Sequence, residues 1–245
     1  MVTLSRVSAR LLIIPLAALL IAACEHNDLG TGTSGGGGGG GGPGPSLGAA
    51  STYGILAGST VTCVTGGTIN ADVGVSPGGA ITGFPPCTLT GARHAADAVA
   101  AAAQVDLTTA YNALVALPCP PANNFGTVDQ GGTTKTAGVY CSASSIGVTG
   151  VITLDGGGDP NARFVFQAGS TLTTAGSVVL TNGTQAKNVW WQVGSSATLG
   201  TGSAWKGNIA ALTSITLNDN SNMLGRALAR NGAVTLGTNN FITLP

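Results

Sequence analysis

Seven aspartates and one histidine carry most of the acid–base chemistry available to residues 47–245. The aspartates are scattered along the chain, at Asp72, Asp97, Asp106, Asp129, Asp155, Asp159 and Asp219. Catalysis or calcium binding would need carboxylates clustered with a base or with one another. His94 lies early in a predicted helix, and Asp155 and Asp159 lie among glycines, as turn-forming residues do. The sequence therefore predicts no enzyme and no cofactor.

Residues 1–24 have the pattern of an export signal. Two arginines precede a 13-residue apolar run at 11–23, which is too short to span a membrane as a mature helix. The segment IAAC at 21–24 resembles a bacterial lipobox, so we expect lipidation of Cys24 and export to the cell envelope. Glu25 after the cysteine favours the outer membrane, with the domain facing outside. An ordinary secretory signal with a coincidental cysteine is the alternative.

A glycine-rich spacer follows at 25–46, with eight consecutive glycines at 35–42. Such a chain is flexible and would reach roughly 25 Å, so the folded domain is expected at 47–245. The whole chain has nine basic and nine acidic residues and a net charge of zero. Nucleic acid is not an expected partner, because neutralising phosphates requires a basic patch. We expect a monomer that meets a membrane only through its lipid anchor.

Four cysteines remain after Cys24, an even number that indicates disulfides in an exported protein. Three pairings are possible. We favour Cys63–Cys87 with Cys119–Cys141, because each pair brackets one local loop. No C-x-x-C motif is present and the two histidines are isolated, so no metal site is expected.

The second half of the chain repeats a Thr-Leu pair that is followed within two residues by Thr, Asn or Gly. Successive leucines are 18, 27, 18 and 19 residues apart, at Leu154, Leu172, Leu199, Leu217 and Leu236. A period near 18 in a β-branched, Gly-punctuated chain is typical of a β-solenoid, in which each repeat is one coil. Side chains alternate between strand faces, so inward leucines place the preceding threonines in one outward column. The predicted column is Thr153, Thr171, Thr198, Thr216 and Thr235.

Each coil divides into three predicted strands, which implies a roughly triangular cross-section. One side carries apolar segments in series, at 163–167, 188–193, 208–212 and 226–230. We expect this side to take a helix, with Trp190 and Trp191 pointing one toward the core and the other toward the helix. The segment AGSTVT from Ala57 matches AGSTLT from Ala168, so the first strands should join the same solenoid. Thr60 and Thr62 would then be equivalent to Thr171 and Thr173.

The helix is predicted at about 92–117, where alanine is abundant and Pro118 prevents continuation. Its predicted apolar stripe is Ala95, Val99, Ala102, Ala103, Leu107, Ala110, Leu114 and Leu117. Residues 118–149 are predicted to form a loop that caps one end of the solenoid, since the open end of a solenoid must be covered.

Five ordered segments resemble the microbial ice-binding proteins. They are LGAASTYGILAGSTVT (47–62), DVGVSPGGAITGFPP (72–86), GDPNARFVFQAGSTLTT (158–174), WWQVGSSATLGTGSAWKGNIAALTSITLN (190–218) and GRALARNGAVTL (225–236). The resemblance implies a mainly β fold: a right-handed, irregular parallel β-solenoid of triangular cross-section with one long helix packed along one side. It also implies that the first coil docks near the last one. The activity it implies is ice binding by one flat side rich in Thr, Ser and Ala, which would inhibit ice growth and recrystallisation.

The residues predicted to contact ice are Thr171, Thr173, Ser196, Thr198, Thr201, Ser214, Thr216, Thr235 and Thr238. Stacked coils would space them about 4.8 Å apart along the column and about 6.7 Å apart along a strand. Threonine supplies both a methyl group and a hydroxyl that can join a water network. The alternative is a cell-surface adhesin or polysaccharide-binding module without ice affinity. Sugar binding would favour exposed aromatic residues, and the predicted column has none.

Overall fold

The structure is a computed structural model that describes residues 44–245, within a compact unit assigned to Gly38–Pro245. The predicted export signal at 1–24, with Cys24, and the spacer up to residue 43 lie outside the described residues.

Three parallel sheets make up the solenoid, and every pairing between their strands is parallel in the described part of the chain. Sheet A has the order β7 (Arg93–Ala95), β4 (Asp72–Val75), β1 (Tyr53–Ala57), β19 (Ala227–Ala229), β16 (Asn208–Ala211), β13 (Val189–Val193), β11 (Phe164–Ala168) and β9 (Gly138–Ser142). Sheet B has the order β5 (Ala80–Thr82), β2 (Thr60–Thr65), β20 (Val234–Thr238), β17 (Ile215–Leu217), β14 (Ala197–Leu199), β12 (Leu172–Thr181), β10 (Ile146–Asp155) and β8 (Thr134–Thr136). Sheet C has the order β15 (Ala204–Lys206), β18 (Asn222–Leu224), β21 (Phe241–Thr243), β3 (Thr68–Asn70) and β6 (Thr88–Leu89). From Val189 onward each coil adds one strand to each sheet, as predicted.

The first coil lies between the second coil and the last one. Its three strands pair with the last coil through Ile55↔Ala227, Thr62↔Thr235 and Ile69↔Ile242. The chain therefore forms its first two coils at one end of the solenoid and then crosses to the other end. From there it adds the remaining coils one by one, until the last coil pairs with the first. The predicted docking of the first coil on the last is confirmed.

Inward side chains fill the space between the sheets. The repeat leucines of the last coils are buried, from Leu172 at 1% exposed to Leu236 at 0%. Trp191 stacks on Phe166 with ring centroids 4.1 Å apart and lies 4.6 Å from the ring of Trp205. Burying each large apolar side chain contributes about 1.5–3 kcal/mol, so this interior holds the coils in register.

The single α-helix of the described residues, α1, spans Ala98–Val115, which is shorter than the predicted 92–117. Residues 93–95 form β7 instead, because pairing with β4 competes successfully with the helix propensity of this segment. Ala96 then takes a left-handed φ of 53°, and the Asp97 carboxylate caps the helix by accepting from the Ala100 amide at 2.8 Å. Eighteen residues at 1.5 Å each give α1 a length of about 27 Å.

The helix packs on sheet A, as predicted. Its buried residues are Ala100, Ala103, Leu107, Ala110, Tyr111 and Leu114, so Ala95, Val99 and Ala102 of the predicted stripe are exposed instead. Ala95 lies in β7, whereas Val99 and Ala102 lie on the side of α1 that faces away from sheet A. Trp190 points outward into the cluster beneath α1, while Trp191 points into the core, as the alternation of strand residues predicts.

The cap is shorter than the predicted 118–149, because β9 and the start of β10 fall inside that range. Its irregular part follows the edge strands through Phe125 N to Cys141 O at 3.1 Å and Gln130 N to Gly147 O at 2.9 Å. Both favoured disulfides, Cys63–Cys87 and Cys119–Cys141, are present. The second one ties the cap to β9.

Candidate functional site

A column of six threonines crosses the outer face of sheet B. In order across neighbouring strands, this threonine column is Thr82, Thr62, Thr235, Thr216, Thr198 and Thr173. The residues that flank each of them along the strand are buried in most coils, so the strand alternation fixes the threonines outward. Thr82 and Thr173 at the two ends are exposed, and the four between them are half-buried.

Two threonines of the predicted column lie elsewhere. Thr171 is two residues before the column position, which Thr173 occupies opposite Thr198. Thr153 pairs with Thr134 and Val179 in the second half of the long strands β10 and β12, beyond the residues of β12 that pair with β14. Leu172 aligns with Ala197 and not with Leu199, which moves the column position from Thr171 to Thr173. Leu154 aligns with Leu180 and not with Leu172, which leaves Thr153 outside the column.

A second column runs beside the first, two residues earlier on each strand. This serine column is Thr60, Ala233, Ser214, Ser196, Thr171 and Ser145. Its hydroxyls are partly engaged: Thr171 Oγ1 donates to Ser145 Oγ at 2.8 Å, and Ser214 Oγ accepts from Ala233 N at 3.2 Å. The structure thus brings together seven of the nine predicted contact residues, in two adjacent columns.

The remaining two, Thr201 and Thr238, lie at the corner where sheet B turns toward sheet C. Thr238 ends β20 and pairs with Thr65, while Thr201 lies in the turn after β14. The exposed carboxylate of Asp219 is on the coil between them and accepts from Thr238 N at 2.7 Å. This edge of the face therefore carries a negative charge.

The far end of the threonine column is closed by a second carboxylate. Gly147 takes the column position after Thr173, and the Asp129 carboxylate lies where a side chain at Gly147 would be. Asp129 accepts from Thr149 N at 2.9 Å and from Gly131 N at 2.7 Å. Burial raises the pKa of Asp129, but these backbone bonds and one from Thr149 Oγ1 outweigh it, so the pKa lies below its ordinary value.

Between these two edges the face offers hydroxyls and methyl groups in a regular array. Side-chain hydrogen bonds within the described chain do not involve Thr173, Thr198, Thr216 or Thr235, so their hydroxyls are available to water or a ligand. No group of three or more His, Cys, Asp or Glu able to hold a metal occurs within residues 44–245. The arrangement suits adsorption to an extended, uncharged, hydrogen-bonding surface.

Four hydroxyl residues of the two columns are absent from the predicted contact residues: Thr60, Thr62, Thr82 and Ser145. The AGSTVT repeat pointed to Thr62 as an equivalent of Thr173, and the register confirms that equivalence. Thr82 lies in a three-residue strand without the Thr-Leu motif, and only the pairing of β5 with β2 places it in the column.

Comparison with known proteins agrees with this architecture. The model of the family described as Ice-binding-like matches residues 55–242. An ice-binding protein of Nostoc sp. (strain HG1) is 56% identical over 196 residues, which cover 79% of this chain and 72% of the relative.

Two solved structures extend the comparison to the fold. The ice-binding protein of the Antarctic ascomycete Antarctomyces psychrotrophicus superposes with a TM-score of 0.78 at 42% identity, covering 82% of this chain and 98% of that one. An Arctic yeast ice-binding protein, described for its antifreeze activity, gives a TM-score of 0.74 at 29% identity, covering 82% and 94%. This chain belongs to the Ice-binding-like family.

Proposed function

We propose that this protein adsorbs to ice through the outer face of sheet B and thereby inhibits ice growth and recrystallisation. The observation that carries the proposal is the column of six threonines on six neighbouring strands. Family membership and the names of the relatives support it.

The physical basis is the spacing of the two columns. Parallel strands set neighbouring threonines about 4.8 Å apart, and the serine column lies about 6.7 Å from the threonine column. Such a grid approximates the repeats of oxygen atoms at an ice surface. Threonine is stiff at χ1, so little side-chain entropy is lost when the array meets an ordered lattice. Each contact is weak, and the strength of adsorption comes from the number of contacts in the array.

The contact residues of this proposal are the predicted set together with Thr60, Thr62, Thr82 and Ser145. Thr173, Thr198, Thr216 and Thr235 form its centre with Thr62, and the serine column supports it. Thr201 and Thr238 form its corner edge. The family is one of binding proteins, and no catalytic step is proposed.

We also propose that the protein acts as a monomer outside the cell, held by a lipid on Cys24. The support is the export and lipobox pattern of residues 1–24. Within residues 44–245, no helix is long and apolar enough to cross a membrane. Mass spectrometry of the mature protein tests the anchor: a diacylglyceryl-modified Cys24 supports it, whereas an unmodified N-terminus contradicts it.

The test of ice binding is recrystallisation inhibition by Thr198→Tyr beside Thr243→Tyr. Thr198 is central in the threonine column, while Thr243 occupies an outward position on sheet C. We expect Thr198→Tyr to lose activity, because a protruding ring keeps the face away from a flat lattice, and Thr243→Tyr to retain it. Circular dichroism verifies that both variants fold. An inactive, folded wild type would overturn ice binding and favour the adhesin; equal loss in both variants would contradict the assignment to sheet B.

A further inference from the structure

Residues 44–52 form a strap that crosses the outside of sheet A before the first strand begins. The strap lies outside the residues matched by the family model, which starts at residue 55. Gly44 lies against the indole of Trp190 on β13, and Tyr53 begins β1. Because sheet A runs in the order β1, β19, β16, β13, the strap spans four neighbouring strands.

Apolar burial holds the strap in place. Leu47 is 8% exposed and Ala50 is fully buried, in the same cluster as Trp190, Leu107 and Leu228. The strap therefore completes the layer between sheet A and the helix.

Two charged side chains pin the strap through its backbone. Asp106 of α1 accepts from Ala49 N at 2.7 Å, and Arg226 donates to Ser51 O from Nη2 at 2.8 Å. Arg226 also donates to Asn208 Oδ1 at 2.9 Å, which fixes the guanidinium on sheet A. Gly48 has a φ of 44°, and a side chain there would collide with the Asp106 carboxylate. Hydrogen bonds to charged groups are the stronger ones, so the strap is fastened at both ends of its short helical turn.

We propose that the strap fixes the exit of the N-terminal segment on the sheet A side of the solenoid, so that sheet B stays accessible when that segment is attached to a lipid surface. This inference rests on the proposed ice-binding face and on the proposed anchor at Cys24. The spacer alone would let the domain approach the membrane in any orientation. When the strap is bound to sheet A, the N-terminal segment leaves the domain on the sheet A side. Orientations in which that segment would lie between the threonine column and an ice surface are then excluded.

The first test is amide hydrogen exchange on Gly38–Pro245, the compact unit, with and without Asp106→Ala. The Ala49 and Ala50 amides should be protected in the wild type. Asp106→Ala should speed their exchange about tenfold, because losing a bond to a charged acceptor costs at least 1.4 kcal/mol. The matched control is Asn112→Ala on the exposed side of the same helix, which should leave both amides unchanged. Unprotected Ala49 and Ala50 in the wild type would overturn the inference.

The second test attaches a bulky folded carrier to the N-terminus of the same unit, or inserts it between Thr201 and Gly202 at the edge of sheet B. The N-terminal fusion should keep the recrystallisation inhibition of the free domain, and the corner insertion should lose it. Loss in the N-terminal fusion, with the free domain active, would overturn the inference.

A readout independent of ice separates this inference from the proposed function. Thr198→Cys, labelled with a large polyethylene-glycol maleimide, should react at the same rate in the N-terminal fusion and the free domain, but more slowly in the corner insertion. If the free domain does not bind ice, the proposed function fails, and the labelling rates alone decide the inference. Slower labelling in the N-terminal fusion would overturn it.

Discussion

Five coils contribute one strand each to sheets B and C, with the same parallel pairing, yet the outer faces of the two sheets differ. The threonine column of sheet B repeats one residue type on six neighbouring strands. The corresponding columns of sheet C mix residue types: one reads Ala204, Asn222, Phe241, Thr68 and Thr88, and the other reads Lys206, Leu224, Thr243 and Asn70. Phe241 is 41% exposed and protrudes between smaller neighbours.

The difference between the two faces shows that the backbone sets the spacing of the strands, whereas the side chains decide whether the surface is uniform. Both sheets offer strands about 4.8 Å apart, so the spacing alone does not make a binding face. Sheet C adds a charge at Lys206 and an uneven surface, either of which would keep a flat lattice at a distance. A uniform surface of one small side chain is the property that sheet B adds.

The largest expected change is in stability, and it should affect both faces together. Replacing Cys63 and Cys87 by alanine should lower the free energy of unfolding by about 3 kcal/mol, because the bond closes a loop with a sequence separation of 24. Denaturant unfolding measures this loss. Ice binding near 0 °C should survive, since the variant remains folded there. Loss of activity in a folded variant would show that surface uniformity is not enough to explain the difference between the sheets.

A charge should distinguish the two faces strongly. Thr216→Lys places an ammonium in the middle of the threonine column, and the cost of dehydrating it should weaken recrystallisation inhibition by at least about tenfold. Thr243→Lys puts the same charge on sheet C beside Leu224 and should have no effect. Equal inhibition by the two variants would remove the functional distinction between the sheets.

Removing one hydroxyl should have a moderate effect. Thr198→Val keeps the shape and the methyl group but loses a hydrogen-bonding group, which is worth about 0.5–1.5 kcal/mol, so we expect inhibition to fall about threefold. Thr243→Val on sheet C is the control and should be silent. If Thr198→Val retains full inhibition, the methyl groups alone carry adsorption at this position.

The smallest effect should be the pH dependence of the stability that the Asp129 carboxylate contributes at the end of sheet B. Its folded pKa lies below the ordinary value of 3.8, so the ionised carboxylate stabilises the fold above that pH. This contribution is lost as the pH falls through the folded pKa. Asp129→Asn should therefore melt at a lower temperature than the wild type at pH 6, and this difference should shrink as the pH falls below 3.8 and through the folded pKa. A difference that stays constant with pH would show that the carboxylate's charge plays no part.

Features set by local chemistry were predictable from the sequence. Trp190 and Trp191 had to point to opposite sides of a strand, and the apolar series on sheet A had to meet the alanine-rich helix. The disulfide pairing followed from cysteines that bracket single loops.

The register between β12 and β14 was not predictable from the motif. The motif placed Thr171 opposite Thr198, but the core aligns Leu172 with Ala197 and shifts the column to Thr173. The helix start was missed for a related reason, since residues 93–95 gain more from pairing with β4 than from extending α1. In both cases partners far apart in the chain outweighed the local preference.

The pairing of the first coil with the last has a consequence for how the molecule is made. Thr62 meets Thr235 only after every strand from β3 to β19 has been synthesised, because these strands lie between β2 and β20 in the chain. Contacts this distant in sequence make folding slow, and a partial chain leaves the edge of β2 open to wrong pairing. We therefore expect the first coil of a nascent chain to lack its partner strands on this side until Phe241–Thr243 has left the ribosome.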